Sequence, residues 1–314
     1  MRVARLESEP RAEMCELAKL VDAHMSPLRR PSMLLRPGLQ LWRITDQVPP
    51  SPSVYGPTLC ILAQGQKRVH LDGRCFVYDP SKYVVSTIAV PTRYTVAEAS
   101  PLKPLLGVLI ELDLRLISEL VLELGDNVEP GAPNDGSALG VHPMERAFAR
   151  AAVRVVEVAS SDTEWSILSS GLLREIHFHA LRGPAGPLLR DRIEKNGNLE
   201  RVARAVHYIE ENFAEALTVE AIAKTAGMSP SALHSQFKRA TDLSPMQFVK
   251  QIRLHEANAR LLAGGSVLQT AVDVGYSSSS QFSRDFRRQF GVAPSQARDR
   301  LNADRNDRNL ATVR

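Results

Sequence analysis

Residues 275–294 read GYSSSSQFSRDFRRQFGVAP. Four serines, Ser277 to Ser280, run straight into a segment with Phe282 and Phe286 four residues apart, the spacing that puts two side chains on one face of a helix. Arg284, Arg287 and Arg288 fall away from that face. The stretch therefore predicts a helix with an apolar inner side, a basic outer side and a start made of small hydroxyl side chains. Serine caps a helix well. Short side chains also let another molecule's backbone come close. A helix that enters the DNA major groove by its N-terminal end needs these features, with cations beyond it for phosphates. Ser279, Ser280, Ser283 and Arg284 lie on the outward face, and Arg287 and Arg288 are placed for phosphates.

The pattern occurs twice. TVEAIAKTAGMSPSALHSQFKRATDLSP begins at Thr218, and SVLQTAVDVGYSSSSQFSRDFRRQFGVAP begins at Ser266. Thr218 and Ser266 each stand nine residues before a glycine, Gly227 and Gly275. Both are good N-cap residues, and both glycines suit the left-handed turn that ends a short helix. Leu233 and Phe237 in the first copy match Phe282 and Phe286 in the second. Pro245 and Pro294 close them. The second copy has one extra residue, within the serine run. A short helix, a glycine turn and a second helix make a helix-turn-helix. The segment SPMQFVKQIRLHEANARLL reads as one long helix joining the two. A lone helical hairpin with core phenylalanines and solvated arginines is commonplace; two with matching caps, turns and spacing point to DNA.

Charge agrees. The chain carries 39 Lys and Arg against 35 Asp and Glu, and the whole excess lies from Asn198 onward, where 16 basic residues face 12 acidic ones. A basic C-terminal third fits a polyanionic partner. The start of the chain is charged throughout, which predicts no export signal, and no apolar run is long enough to span a membrane. Cys15, Cys60 and Cys75 are odd in number and lack zinc-type spacing, in keeping with a reducing cytoplasm.

Ahead of the repeat the texture differs. Residues from about Glu9 to His24 predict a helix with Cys15, Leu17, Ala18, Leu20 and Val21 as its apolar stripe. Pro27, Pro31 and Pro37 then break the chain. From Leu39 to about Leu112, short runs rich in Val, Ile, Thr and Tyr alternate with turn residues, which predicts six or seven strands in a small barrel or sandwich. Asp72-Gly73 is a strong hairpin signal. Helices are expected at 113–124, 143–159 and 164–182, with EPGAPNDGSALG as a loop between the first two. Residues 183–197 read as a polar linker. The expected layout is residues 1–182, a linker at 183–197, residues 198–300 and a tail at 301–314.

The region from about Leu199 to Arg298 resembles the DNA-binding domain of the AraC/XylS family of bacterial transcription regulators. The match lies in Gly275-Tyr276, the serine before QFSR, the paired phenylalanines, the basic pair and G-x-x-P. YGPTLCILAQGQKRV, from Tyr55, resembles the N-terminal domain of one AraC-type subgroup. The fold class implied is α+β: a cupin-like β-barrel with flanking helices, then an all-α domain with two helix-turn-helix units. The resemblance implies recognition helices at about Ser229–Thr241 and Ser278–Phe290. Base-facing positions would be Ser231, Ala232, His234 and Ser235 in the first, and Ser279, Ser280, Ser283 and Arg284 in the second. Lys238, Arg239, Arg287 and Arg288 would meet phosphates. Thr270 stands where the first copy has Ile222, so the second unit carries a hydroxyl in its core.

A barrel joined to a DNA-binding domain implies a sensor for a small-molecule effector. Candidates to line its pocket are Gln64, Lys67, Tyr83, Arg93 and Tyr94. The alternative is a ligand-independent dimeric regulator whose barrel is only structural. Partners implied are double-stranded DNA, an effector, RNA polymerase and a second copy of the chain. Two stripes are candidates for the dimer contact: Ala152, Val156 and Ala159, and Leu168, Leu172 and Leu173. Cys60 and Cys75, in strands expected to be adjacent, raise the option of oxidant or electrophile sensing. An enzyme is not expected. There is no HExxH, GxSxG or phosphate-loop motif, His70 is the only histidine between Leu39 and Asp113, and His177 and His179 diverge on a helix. Neither metal nor cofactor is predicted.

Overall fold

The computed structural model describes residues 10–28, 30–71, 74–125, 136–194 and 197–297. The chain divides into two compact units, with the main boundary between Glu200 and Arg201. The front unit opens with helix α1 (Arg11–Met25). Ten strands follow: β1 (Ser32–Arg36), β2 (Leu39–Ile44), β3 (Val48–Tyr55), β4 (Thr58–Gln64), β5 (Lys67–Leu71), β6 (Arg74–Tyr78), β7 (Lys82–Ser86), β8 (Val90–Val96), β9 (Leu105–Glu111) and β10 (Leu139–Pro143). They form a six-stranded sheet, β1-β2-β9-β4-β7-β10, and a four-stranded sheet, β3-β8-β5-β6. This is a cupin-like sandwich of two sheets and not a closed barrel.

Strand β4 runs through the middle of the larger sheet, and six of its seven residues are buried. It reads as a continuous apolar run because both of its faces are covered, one of them by α1. Between Leu39 and Leu112 the structure has eight strands against the six or seven expected, and β1 and β10 lie outside that stretch. Strand β3 contains Pro49, Pro50 and Pro52, which lack a donor; it is tolerated at the end of the smaller sheet, where one side needs no partner. Strands β1 and β10 are the two edges of the larger sheet and draw their pairing from β2 and β7. Strand β10 begins at Leu139, inside the stretch the sequence predicts as loop. The Asp72-Gly73 turn lies outside the described residues, but its flanks, β5 and β6, pair antiparallel from Leu71 opposite Arg74.

The α1 stripe is rotated from the predicted one. Met14, Leu17, Val21 and Met25 are buried, while Cys15 is exposed. Glu13 joins the buried side because Arg146 donates to its carboxylate at 2.5 Å, which holds that carboxyl below the usual range. Helices α2 (Leu114–Leu124), α3 (Arg146–Val158) and α4 (Asp162–Arg182) follow the expected order. The stretch 183–197 holds a further helix, α5 (Gly186–Ile193), with Leu188 and Leu189 buried. Its polar composition concealed this pair. His177 and His179 do diverge. His177 accepts from the Asp113 backbone N–H through Nε2, so Nδ1 carries the proton toward the Leu173 carbonyl.

The second unit is helical: α6 (Asn198–Asn212), α7 (Val219–Ala226), α8 (Pro230–Thr241), α9 (Pro245–Leu262), α10 (Val267–Asp273) and α11 (Ser279–Phe290). The two copies are α7–α8 and α10–α11, and α9 is the long connector. Residues 298–314, including the expected tail, lie outside the described residues.

Candidate nucleic-acid interface

Each copy is built by the same backbone device. Thr218 caps α7 by accepting from the Ala221 N–H. The chain then turns through Gly227 at φ +65°, and Met228 N–H closes back on the Ala223 carbonyl at 2.9 Å. In the second copy Gly275 turns at φ +85°, and Tyr276 N–H closes on Ala271 at the same distance. These positive φ values favour glycine. Serines then start both second helices: Ser229 accepts from Ala232 N–H and Ser278 from Gln281 N–H. Ser266 departs from expectation. It occupies the N-cap position of α10, but its side chain makes no cap bond.

The inner faces pack as their spacing requires. Leu233 and Phe237 are fully buried, as are Phe282 and Phe286. Phe237 meets Phe248 of α9 edge-on at 5.2 Å. Phe282 meets Tyr276 at 5.3 Å, and Phe286 meets Phe290 at 4.5 Å. Thr270 is buried at the place where Ile222 is buried in the first copy.

The outer faces are left to solvent. On α8, Ser231, His234, Ser235, Lys238 and Arg239 are exposed and Ala232 is half-buried. On α11, Ser279, Ser280, Arg284, Arg287 and Arg288 are exposed, and Ser283 is half-buried. The serines near the helix starts are partly engaged: Ser229 and Ser231 hydroxyls lie 3.2 Å apart, Ser278 and Ser280 hydroxyls 2.9 Å. Gln281, also exposed, was missed by the sequence reading. It lies one turn before Arg284 and two turns before Arg288, and helical spacing alone would have found it.

Two further groups came only from the structure. Arg253 of α9 donates to three main-chain carbonyls: Phe213 at 2.6 Å, Glu215 at 2.6 Å and Gly275 at 2.9 Å. This ties the turn of the second copy to the chain that follows α6. A Cβ added at Gly275 would run into the Ala214 carbonyl, so the approach itself demands glycine there. Asp285, on the inner side of α11, is buried. Lys250 of α9 stands 3.5 Å from its carboxylate and Arg288 stands 3.2 Å away. A buried carboxylate needs such partners. Arg288 is therefore already ion-paired, whereas Arg284 and Arg287 make no ion pair among the described residues.

In the front unit, the structure brings together only part of the expected pocket. The Lys67 ammonium lies 4.4 Å from the Tyr94 ring. Gln64 donates to the Pro104 carbonyl and Arg93 to that of Pro50. Tyr83 stacks on Phe148 of α3 at 4.3 Å. Cys60 and Cys75 are not on adjacent strands: β4 and β6 belong to different sheets, Cys60 faces the interior and Cys75 is exposed. Burial pushes the Cys60 thiol up, against thiolate chemistry. Of the expected dimer stripes, Ala152, Val156 and Ala159 are fully buried within the chain, and so is Leu172; Leu168 is exposed. The α3 stripe is covered by α4, which follows it directly, and by α1, which is distant in sequence and so leaves no local signal. Among the described residues there is no cluster of three metal-ligating side chains, and no helix is long and apolar enough to cross a membrane.

Comparison with known proteins agrees with this geometry. Residues 36–188 match the family described as AraC-type transcriptional regulator N-terminus, and residues 222–300 match a helix-turn-helix domain family. Among relatives, the HTH-type transcriptional activator RhaS of Escherichia fergusonii is 35% identical over 114 residues, 34% of this chain and 41% of that one. The virulence regulon activator VirF of Yersinia enterocolitica is 28% identical over 134 residues, 42% and 49% of the two chains. The chain thus spans about half or less of the length of these relatives. Apo ToxT from Vibrio cholerae shares the fold, with a TM-score of 0.53 at 14% identity over 84% of this chain and 98% of that one. ToxT bound to an unsaturated fatty acid aligns with a TM-score of 0.50 at 13% identity over 82% and 93%. With both units matched, the chain belongs to the AraC family of transcription regulators.

Proposed function

We propose that this chain is a sequence-specific DNA-binding transcription regulator whose front unit answers to a small-molecule effector. The observation that carries the reading is the repeated unit itself. Two helix-turn-helix copies each bury an apolar pair and leave a hydroxyl- and cation-bearing face on the second helix. Helices α8 and α11 enter two successive major grooves about one helical turn apart. Ser231, Ala232, His234, Ser235, Ser279, Ser280, Gln281, Ser283 and Arg284 face bases. Lys238, Arg239, Arg287 and Arg288 face phosphates. Residues 1–182 sense and dimerise, and residues 198–300 bind DNA. The protein works in the cytoplasm, as a homodimer, on promoter DNA and with RNA polymerase. A ToxT structure of this fold is described with a bound unsaturated fatty acid, which supports a search for an effector here.

Footprinting of purified protein on DNA flanking its own coding region, at two salt concentrations, tests the reading. Protection of two adjacent major grooves per protomer, weakening steeply with salt, is the expected result. No protection on any native fragment, with or without candidate effectors, would sink it.

A further inference from the structure

Among the strands of the smaller sheet, one buried side chain carries a formal charge. Lys67 of β5 is 8% exposed, and no carboxylate or carbonyl is recorded as accepting from it among the described residues. Its ammonium lies 4.8 Å from the Trp42 ring of β2, 5.1 Å from Tyr55 of β3 and 4.4 Å from Tyr94 of β8. The Trp42 indole reaches this position because residue 107 is glycine; a Cβ there would strike the ring. Beside the lysine, the Tyr55 and Tyr78 hydroxyls bond to one another at 2.9 Å, and the Cys60 thiol lies 3.5 Å from Tyr78 Oη. Tyr55, Tyr78 and Cys60 are all buried.

Counting donors against acceptors decides what this cluster is short of. Lys67 brings three N–H donors and no acceptor. The tyrosines bring two hydroxyl protons, which burial keeps in place by raising both phenols. One of these protons is used between the two hydroxyls, and the other has only a sulfur, a weak acceptor. Ring faces steady the ammonium but accept no strong hydrogen bond. Burial also presses on the ammonium, pushing Lys67 down from its ordinary value. A cationic ligand would be repelled. A carboxylate would supply the missing charge and lone pairs, and the surrounding rings favour one with an apolar body.

We infer that Lys67, with Tyr55 and Tyr78, is the recognition centre for an anionic ligand, a monocarboxylate with a small apolar body. This deepens the sensor reading of the front unit and rests on it only for the effect on DNA. Trp42 is beside the ammonium and is one of two tryptophans in the chain, so a full-length Trp165→Phe protein reports on the site through Trp42 emission. Acetate, hexanoate and phenylacetate are each titrated against the matching neutral amide. A saturable change is expected with at least one acid, about tenfold or more tighter than its amide, since a charged hydrogen bond is worth about 1.5–3 kcal/mol. Lys67→Met, which keeps the apolar stem, should remove that preference. Tyr78→Phe, which keeps the ring, should weaken the acid by a smaller factor. No saturable response to any acid, equal affinity for acid and amide, or an unaltered preference in Lys67→Met overturns the proposal. The footprint of the same samples separates the two readings. Acid binding that leaves the footprint unchanged supports this site and counts against effector control. A normal footprint without acid binding overturns this site and leaves DNA binding standing.

Discussion

The two helix-turn-helix copies share caps, glycine turns and apolar spacing, yet they are held in different ways. The first is closed mainly by hydrocarbon, with Ile222, Leu233 and Phe237 fully buried; one cation reaches its turn, Arg204 donating to the Ala226 carbonyl at 3.2 Å and lying 3.7 Å from where a Cβ at Gly227 would stand. The second adds polar anchors to its aromatic core. Arg253 holds three carbonyls around its turn, and Asp285 binds α11 to α9 through Lys250. The second copy also carries the longer outward polar side chains, Gln281 and Arg284, where the first has Ala232 and Ser235. A repeated backbone pattern thus does not imply repeated energetics. The copy with more polar anchors is the one whose geometry depends on single residues.

The strongest way to break this comparison is at the glycines. Gly275→Ala meets both a positive φ and the Ala214 carbonyl, and should destabilise the second unit by about 3 kcal/mol or more. Gly227→Ala meets only the backbone preference and should cost about 1–2 kcal/mol. Urea unfolding of the two variants checks the gap; equal losses would mean the clash relaxes freely. Arg253→Met removes three hydrogen bonds from one side chain and should cost roughly 2–3 kcal/mol, with the footprint over the α11 half-site lost first.

Acid separates the copies again. His255 of α9 stacks edge-on toward Phe290 of the second copy, and burial pushes its pKa down to about 4. The unfolded chain binds a proton near pH 6.5 and the folded chain only near 4, so stability is full above about 6.5 and falls as pH drops toward 4. Complete titration of such a shift is worth about 3 kcal/mol at most. His255→Leu should flatten the pH dependence of unfolding across that window. On DNA, Arg284→Ala should cost about 1–3 kcal/mol and relax preference at one base pair. The smallest effect belongs to Arg287→Ala, which should weaken all sequences alike and lower the salt slope by about one. Binding isotherms on specific and scrambled sites at several salt concentrations distinguish the last two.

Much of this was legible in advance where neighbours in the chain are also neighbours in space. Helices α8 and α11 lie within a residue of the bounds the family resemblance implies, and their serine caps and four-residue apolar repeat, which are local, agree with those bounds. The outward residues Ser280, Arg284 and Arg287 follow from the same arithmetic. Ser266 marks the limit even of local reasoning: a residue type suited to capping occupies the position without making the bond. In the front unit local signals failed sooner. Strands β1 and β10 exist as edges of a sheet, and β3 is a strand despite three prolines because its position in the sheet tolerates missing donors. Ala152, Val156 and Ala159 looked like an interface and are core, since α1 and α4 cover the helix that carries them.

By itself the sequence determined the two helix-turn-helix units and the faces they present. Each follows from interactions between residues a few positions apart: a hydroxyl on an N–H, a glycine at positive φ, two rings one turn apart. Tertiary structure alone decided what surrounds a side chain whose neighbours come from distant strands or helices. Lys67 sits among rings from β2, β3 and β8, and Arg253 gathers carbonyls from Phe213, Glu215 and Gly275. No local pattern encodes such encounters, because burial and partner choice for a charged group are set by the whole packed chain.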